Sequence, residues 1–169
     1  VPFLLQNKQP FVATEKIDGQ SGTFALVKKR KWFKDTFEYI VCSRNLRLWK
    51  KDNSSYWSVS ERYSIDEKLR VMMSHYGLEW MAIQGECVAP NVQGNKYKVQ
   101  QPDLYVFNVI LPTGRLGSVQ AKKMMEDYGL KFVPIIDAEV ILPDTVQEVL
   151  SYAHGHSAIG DTLREGIVF

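Results

Sequence analysis

The order of strand and helix signals predicts an α+β fold built on mostly antiparallel sheets. Three observations carry that expectation. Strand-like segments crowd the first half and recur to the end, helical spacing appears only in separate stretches, and no steady βαβ alternation links them. The chain has 169 residues, 45% hydrophobic and 24% charged, which suits one folded unit with its own core.

The elements follow in order. Phe11 to Ile17 and Thr23 to Lys28 read as short strands, separated by the turn chemistry of Asp18-Gly19-Gln20-Ser21-Gly22. The basic stretch from Lys28 to Lys34 is expected to be a solvated loop tip rather than a nucleic-acid contact. Glu38 to Ser43 reads as another strand, ending at Arg44-Asn45. Ile65 to Tyr76 has helical spacing, with Ile65, Leu69, Met72 and Met73 on one face and Gly77 as the stop. Trp80 to Val88 and Leu104 to Leu111 are longer strands, joined by a loop at 90–102 rich in Pro, Asn, Gln and Gly, and Pro112-Thr113-Gly114 is a turn. Ser118 is expected to cap a helix ending near Gly129, and Asp144 or Thr145 to cap one ending near Gly155. Val133 to Val140 forms the strand between them, and Gly166 to Phe169 begins a last one.

Composition excludes little. The formal charge is +2, from 21 basic and 19 acidic side chains, and so neutral a total can still hide a local basic patch. Two cysteines, Cys42 and Cys87, are too few for a disulfide scaffold and lack the spacing of a zinc site. They are expected to be buried reduced thiols, compatible with a reducing cytoplasm. No membrane span or signal peptide is expected. The chain starts at Val1 rather than Met and stops at Phe169 within an apolar run, so it reads as a piece of a longer protein. His75, His154 and His156 have no acidic partners at useful spacing; the latter two are expected to cap a helix end or face solvent.

Five clusters could carry chemistry. Lys16-Ile17-Asp18-Gly19 ends a strand at a turn and offers a lysine nucleophile. An ordinary lysine titrates near 10.4, so a neutral amine at pH 7 calls for about 4–5 kcal/mol of differential stabilisation. Burial and neighbouring cations, a metal included, are the means available. Ser43-Arg44-Asn45 places a planar guanidinium fork after a strand, suited to phosphate or sugar oxygens. Gln84-Gly85-Glu86-Cys87 puts a carboxylate inside an apolar strand, which is costly unless it is paired or bound; the amide-rich loop that follows could line a ligand pocket. In Tyr105-Val106-Phe107-Asn108, strand alternation sets Phe107 on the face opposite Val106 and Asn108, where it could stack on a base. Arg164-Glu165-Gly166-Ile167-Val168-Phe169 brings a second acid to the mouth of a strand. Each cluster alone is matched as well by a turn, a hairpin connection or core packing.

Taken in chain order, the five clusters resemble the motif series of the covalent nucleotidyltransferase superfamily, which contains DNA ligases, RNA ligases and mRNA capping enzymes. The runs VCSRNLRLW, IQGECVAPNVQGNKYKV, LYVFNVI and REGIVF resemble the phage-type and bacterial nick-sealing RNA ligases, over residues 12 to 169. Ser21 stands where DNA ligases and capping enzymes usually carry Arg.

The resemblance implies two mostly antiparallel sheets flanking a nucleotide cleft, with peripheral helices, an ATP-grasp-like arrangement. It also implies that residues 1–169 are a single adenylyltransferase domain, cut before the family's last motif, a lysine pair that would follow Phe169. Lys16 would attack the α-phosphorus of ATP to give lysyl-AMP, with Asp18 and Glu165 as its catalytic partners. Glu15, Lys16, Ile17, Arg44, Asn45, Glu86, Phe107 and Glu165 would bind the nucleotide: Arg44 and Glu86 at the ribose, Asn45 supporting them, Phe107 on adenine. Asp18, Glu86 and Glu165 would hold Mg²⁺ or Mn²⁺, directly or through water. The partner would be RNA with 5′-phosphate and 3′-hydroxyl ends, in the cytoplasm of a bacterium or a phage-infected cell, with an OB-fold or other flanking domain possible. Asn108, where some relatives carry Asp, is expected to matter little. The rivals are a DNA ligase or capping enzyme on the same fold, and a binding domain without catalysis.

Overall fold

The computed structural model describes residues 8–32, 34–52 and 54–169, with only the backbone of Lys51. Phe33, in the basic stretch, lies outside the described residues. Nine strands among them form two antiparallel sheets. The larger sheet contains β2 (Gln20–Lys29), β3 (Thr36–Cys42), β4 (Arg47–Leu48), β5 (Trp80–Val88), β6 (Asp103–Leu111) and β7 (Gly114–Arg115), in the order β4-β3-β2-β5-β6-β7. The smaller one pairs β1 (Pro10–Lys16) with β8 (Ile135–Ile141) on one side and β9 (Gly166–Val168) on the other. The expected α+β class with antiparallel sheets is what the chain adopts.

Period-two burial explains the larger sheet. Gly22, Phe24 and Leu26 of β2 are buried while Ser21, Thr23 and Ala25 between them are partly exposed. Phe24 and Leu26 join Val41, Met81 and Ile83 in a core closed by helices α1 (Ser55–Arg62) and α2 (Ile65–Tyr76). On α2 the buried residues are Ile65, Leu69, Met72 and Met73, the face that helical spacing indicates, and Gly77 closes the helix at φ +64°. Each large side chain so buried contributes about 1.5–3 kcal/mol. Helix α1 has no counterpart in the sequence reading: its run SYWSVSER mixes aromatics, Val and serines, and only tertiary packing of Tyr56 and Val59 makes it helical.

Several local expectations change. Ser118 opens helix α3 (Ser118–Asp127) instead of capping it; the cap position is Gly117, without a side-chain bond. Thr145 does cap α4 (Val146–Ala153), forming a capping box with Glu148. The carbonyl end of α4 is bonded chiefly by Arg164, not by a histidine ring: its guanidinium donates to the carbonyls of Tyr152, Ala153 and His154. The strand expected from Val133 starts at Ile135, because Pro134 has no N–H for the ladder. The residues before it tie the sheets together. Val106 N–H donates to Lys131 O at 2.9 Å, Val133 N–H to Val106 O at 2.8 Å, and Glu15 N–H to Pro134 O at 2.9 Å. The basic stretch is partly strand, and Lys28, Lys29 and Arg30 are paired with Asp35, Glu38 and Glu79. Cys87 is fully buried, Cys42 only half, and both are free thiols. No helix among the described residues is long and apolar enough to cross a membrane.

Gly85 marks a tight point in this frame. A Cβ there would lie 2.8 Å from Tyr105 O and 3.1 Å from Val106 Cα, both backbone atoms that cannot swing aside. Gly85→Ala is therefore expected to cost about 1–3 kcal/mol, read as a lower urea midpoint with an unchanged slope.

Candidate active site

A cavity of about 1110 Å³ opens between the two sheets. The smaller sheet contributes β1, the end of β9 and Glu165; the larger contributes the start of β2, the β3–β4 turn, Glu86 of β5, Phe107 and Asn108 of β6, and Arg115 of β7. Glu15, Lys16, Ile17, Asp18, Arg44, Asn45, Glu86, Phe107 and Glu165 all line it. Residues up to 150 positions apart thus meet at one place.

The pairing of β1 with β9 creates the first contact. Lys16 stands opposite Gly166, so the preceding residue, Glu165, arrives at the lysine amine. The Lys16 ammonium and the Glu165 carboxylate form an ion pair, with the lysine side chain half exposed to the cavity. One residue back, the alternation of β1 turns Glu15 inward. Its carboxylate is 1% exposed, accepting from Ser157 Oγ at 2.5 Å and from Ala158 N–H at 2.9 Å. Glu15 borders the cavity, but its charged group is committed to holding the 157–158 segment. The turn after β1 is fixed by Asp18 N–H donating to Tyr97 Oη at 2.8 Å, and Lys96 stands 3.8 Å from the Asp18 carboxylate. Gly19 permits close approach of β5: a Cβ there would lie 2.5 Å from Cys87 O.

Glu86 is paired in register with Ser21 on the neighbouring strand. Its carboxyl is pushed up to about 7, chiefly by burial; a backbone bond from Gly19 and the charge of Lys16 oppose the rise, while Glu165 and Asp18 add to it. Three acids and one lysine therefore share a single electrostatic neighbourhood. Among the described residues, no group of three His, Cys, Asp or Glu side chains is arranged to hold a metal ion by itself.

Phe107 lines the cavity, yet simple alternation is not the reason. Gln84 pairs with Asn108 and Gly85 with Val106, so Phe107 is the extra residue of a β-bulge. The bulge lets Phe107 and Asn108 face the cavity together, correcting the expectation that they lie on opposite faces. Asn108 donates to Gln84 Oε1 at 2.9 Å, and Gln84 donates to Thr23 Oγ1 at 3.2 Å. The 90–102 loop supplies less than expected. Gln93 reaches the cavity, but the Asn95 amide is used up on the backbone of Val99.

Sequence reasoning did not single out Tyr56, Arg115, Leu116 or Gly117, all of which line the cavity. Tyr56 reaches it because Gly22 has no side chain; a Cβ there would lie 2.8 Å from the tyrosine ring. Nothing in the local sequence announces such an approach. Neither Arg44 nor Arg115 has a carboxylate partner among the described residues; Arg115 donates to Asn108 Oδ1 at 3.4 Å, and both bring positive charge to the cavity wall.

The comparisons with known proteins bear on this cavity. No curated protein matches the chain. Among solved structures, the RNA ligase of Naegleria gruberi is similar, with 27% identity and a TM-score of 0.81 for a mutant with ATP and Mn, over 99% of this chain and 47% of that one. The same ligase with PPi gives 27% and 0.81, and another mutant with AMP and Mn gives 27% and 0.80, each over 99% of this chain and 48% of theirs. The chain thus spans about half the length of the solved proteins it matches. The profile of the RNA ligase family matches residues 9–169, almost all of the chain. With that match over a fold whose cavity gathers a strand-end lysine, its acids and an aromatic ring, the chain belongs to the RNA ligase family.

Proposed function

We propose that this chain is the adenylate-transferring domain of an ATP-dependent RNA ligase, with Lys16 as the group that carries AMP. The carrying observation is the convergence of Lys16, Glu165, Glu86 and Phe107 on one cavity roomy enough for a nucleotide. In the first step the Lys16 amine, having lost its proton, attacks the α-phosphorus of ATP. The N–P bond forms as the bond to pyrophosphate breaks. AMP then passes to an RNA 5′-phosphate, and a neighbouring 3′-hydroxyl displaces it to seal the strand. Phe107 would stack on adenine, Arg44 and Glu86 would hold the ribose, and Asn45 would support the same pocket. A single domain over residues 1–169 fits this reading, because both sheets serve the same cavity. Two free thiols suit the reducing cytoplasm.

The residues fit a hydrated divalent cation, Mg²⁺ or Mn²⁺. Asp18 and Glu165 raise the cost of ionising Glu86, and a cation held through water would relieve that repulsion without a direct trio of ligands, which is absent among the described residues. When bound, such an ion neutralises charge on the departing pyrophosphate. The chain's own residues do the rest: Glu165 holds the amine at the strand end, and the bond from Asp18 N–H to Tyr97 keeps that turn in place.

The test is to incubate the full-length protein with ATP and Mg²⁺, labelled at either the α- or the γ-phosphorus. Acid-labile label is expected on the protein from the α position only. No label, or label from the γ position, overturns the proposal; transfer from GTP in place of ATP indicates capping chemistry, against which Ser21 argues.

A further inference from the structure

The turn that brings Arg44 and Asn45 to the cavity continues into a basic and aromatic strip. Residues 43–52 carry Arg44, Arg47, Lys50 and Lys51 against one acid, Asp52. The hairpin is tight: Ser43 N–H donates to Leu46 O at 2.9 Å, and Cys42 pairs with Arg47. Strand alternation then turns Leu48 toward the core and sends Arg47 and Trp49 outward. Trp49 is 56% exposed and Leu46 is 67% exposed.

A single exposed apolar side chain needs no explanation. Here two lie within four residues on one hairpin: Leu46 lines the cavity, and Trp49 follows it beside Arg47. The Arg47 guanidinium sits 4.6 Å from the centre of the Trp49 ring, covering one face of the indole, and is held by Glu38 at 2.8 Å. The main chain that carries the ring is tied down as well, through the backbone N–H and C=O of Trp49. Trp49 N–H donates to Asp52 Oδ2 at 2.7 Å, and Asp52 N–H returns a bond to Trp49 O at 2.9 Å. An aromatic plate fixed in this way loses little freedom when something stacks on it. Two of the neighbouring cations are held by carboxylates, Arg47 by Glu38 and Lys50 by Glu61 at 2.9 Å, whereas Arg44 on the same hairpin has no carboxylate partner among the described residues. A nucleic-acid strand supplies both a flat base for the ring and a phosphate for Arg44.

We propose that Trp49, backed by Arg47 and flanked by Leu46, stacks on an unpaired base of the RNA whose end is processed in the cavity. The proposal takes its partner from the ligase reading above and adds the docking surface.

The experiment uses the full-length protein, Trp49→Ala and Trp49→Phe. Binding of a fluorescein-labelled single-stranded RNA of about 12 nucleotides is followed by anisotropy, and α-label incorporation from ATP is measured in parallel. Trp49→Ala is expected to weaken the single strand roughly 10- to 100-fold, with Trp49→Phe recovering most of it. Binding of a blunt RNA duplex, whose bases are already stacked, and labelling by ATP should both stay within about twofold of the parent. Unchanged single-strand affinity in Trp49→Ala overturns the proposal. So does an equal loss for the duplex, which assigns the effect to backbone charge, or a loss of labelling, which assigns Trp49 to the nucleotide step or to folding. If the parent protein takes no label yet binds RNA through Trp49, the adenylation reading fails and the docking surface stands.

Discussion

Lys16→Arg is expected to fold as stably as the parent and to incorporate label from α-labelled ATP at least about a thousandfold more slowly, the scale seen when a covalent nucleophile is removed. Arginine keeps a cation opposite Glu165, so the ion pair that closes the β1–β9 end survives. It cannot lose its proton near neutral pH, so no amine is available to attack phosphorus. Thermal melts of the two proteins should therefore coincide while their labelling rates separate. Lys16→Ala would lose the label too, but it also leaves Glu165 without its partner, which makes the arginine variant the cleaner measurement. Labelling by Lys16→Arg at a rate near the parent's would remove Lys16 from the chemistry.

Glu86→Gln is expected to lower AMP transfer by at least about tenfold while making the nucleotide-free protein more resistant to heat in alkali. The first effect follows from losing a charge-assisted contact to the nucleotide, typically about 1.5–3 kcal/mol. The second follows from linkage. Burial lifts the Glu86 carboxyl from an ordinary 4.5 to about 7, so between those values the folded chain keeps a proton that the unfolded chain has released. The stability contributed by that proton is complete below about pH 4.5, falls as pH climbs to about 7, and stays lost above. Glutamine has no proton to lose and removes the slope. The two proteins should melt together at pH 5. At pH 8 the variant gains about 1–2 kcal/mol once solvent screening of a half-buried carboxyl is allowed for, and each kcal/mol is worth roughly 2–4 °C. A variant melting below the parent at pH 8 would show that Glu86 is held in place chiefly by favourable contacts. Mg²⁺ with ATP should erase the parent's disadvantage, because ligand that binds only the folded chain stabilises it.

Much of the site could be read from local chemistry. Lys16 at a strand end before Asp18-Gly19, Glu86 within an apolar strand and Glu165 before a closing strand are each visible in a few residues. The helix over Ile65–Tyr76 and its glycine stop are equally local, since a periodicity of 3.6 and a left-handed cap need no distant partner. What short windows could not show was direction. The bulge at Phe107 depends on how β6 meets Gly85, where Leu104, Tyr105 and Val106 leave no room for a side chain. The inward turn of the Glu15 carboxylate depends on Ser157, the capping of α4 on Arg164, and the reach of Tyr56 on the bareness of Gly22.

The sequence by itself determined the types of most elements (helix α1 excepted), the kinds of functional group and their order along the chain, because propensity, turn chemistry and hydrophobic period act over a few residues. Only the tertiary structure decided that Lys16 and Glu165 touch across 149 positions, that Phe107 and Asn108 share a wall, and that Trp49 stands exposed under the Arg47 guanidinium. Register, bulges and strand order arise from packing among distant segments, and no local pattern encodes them.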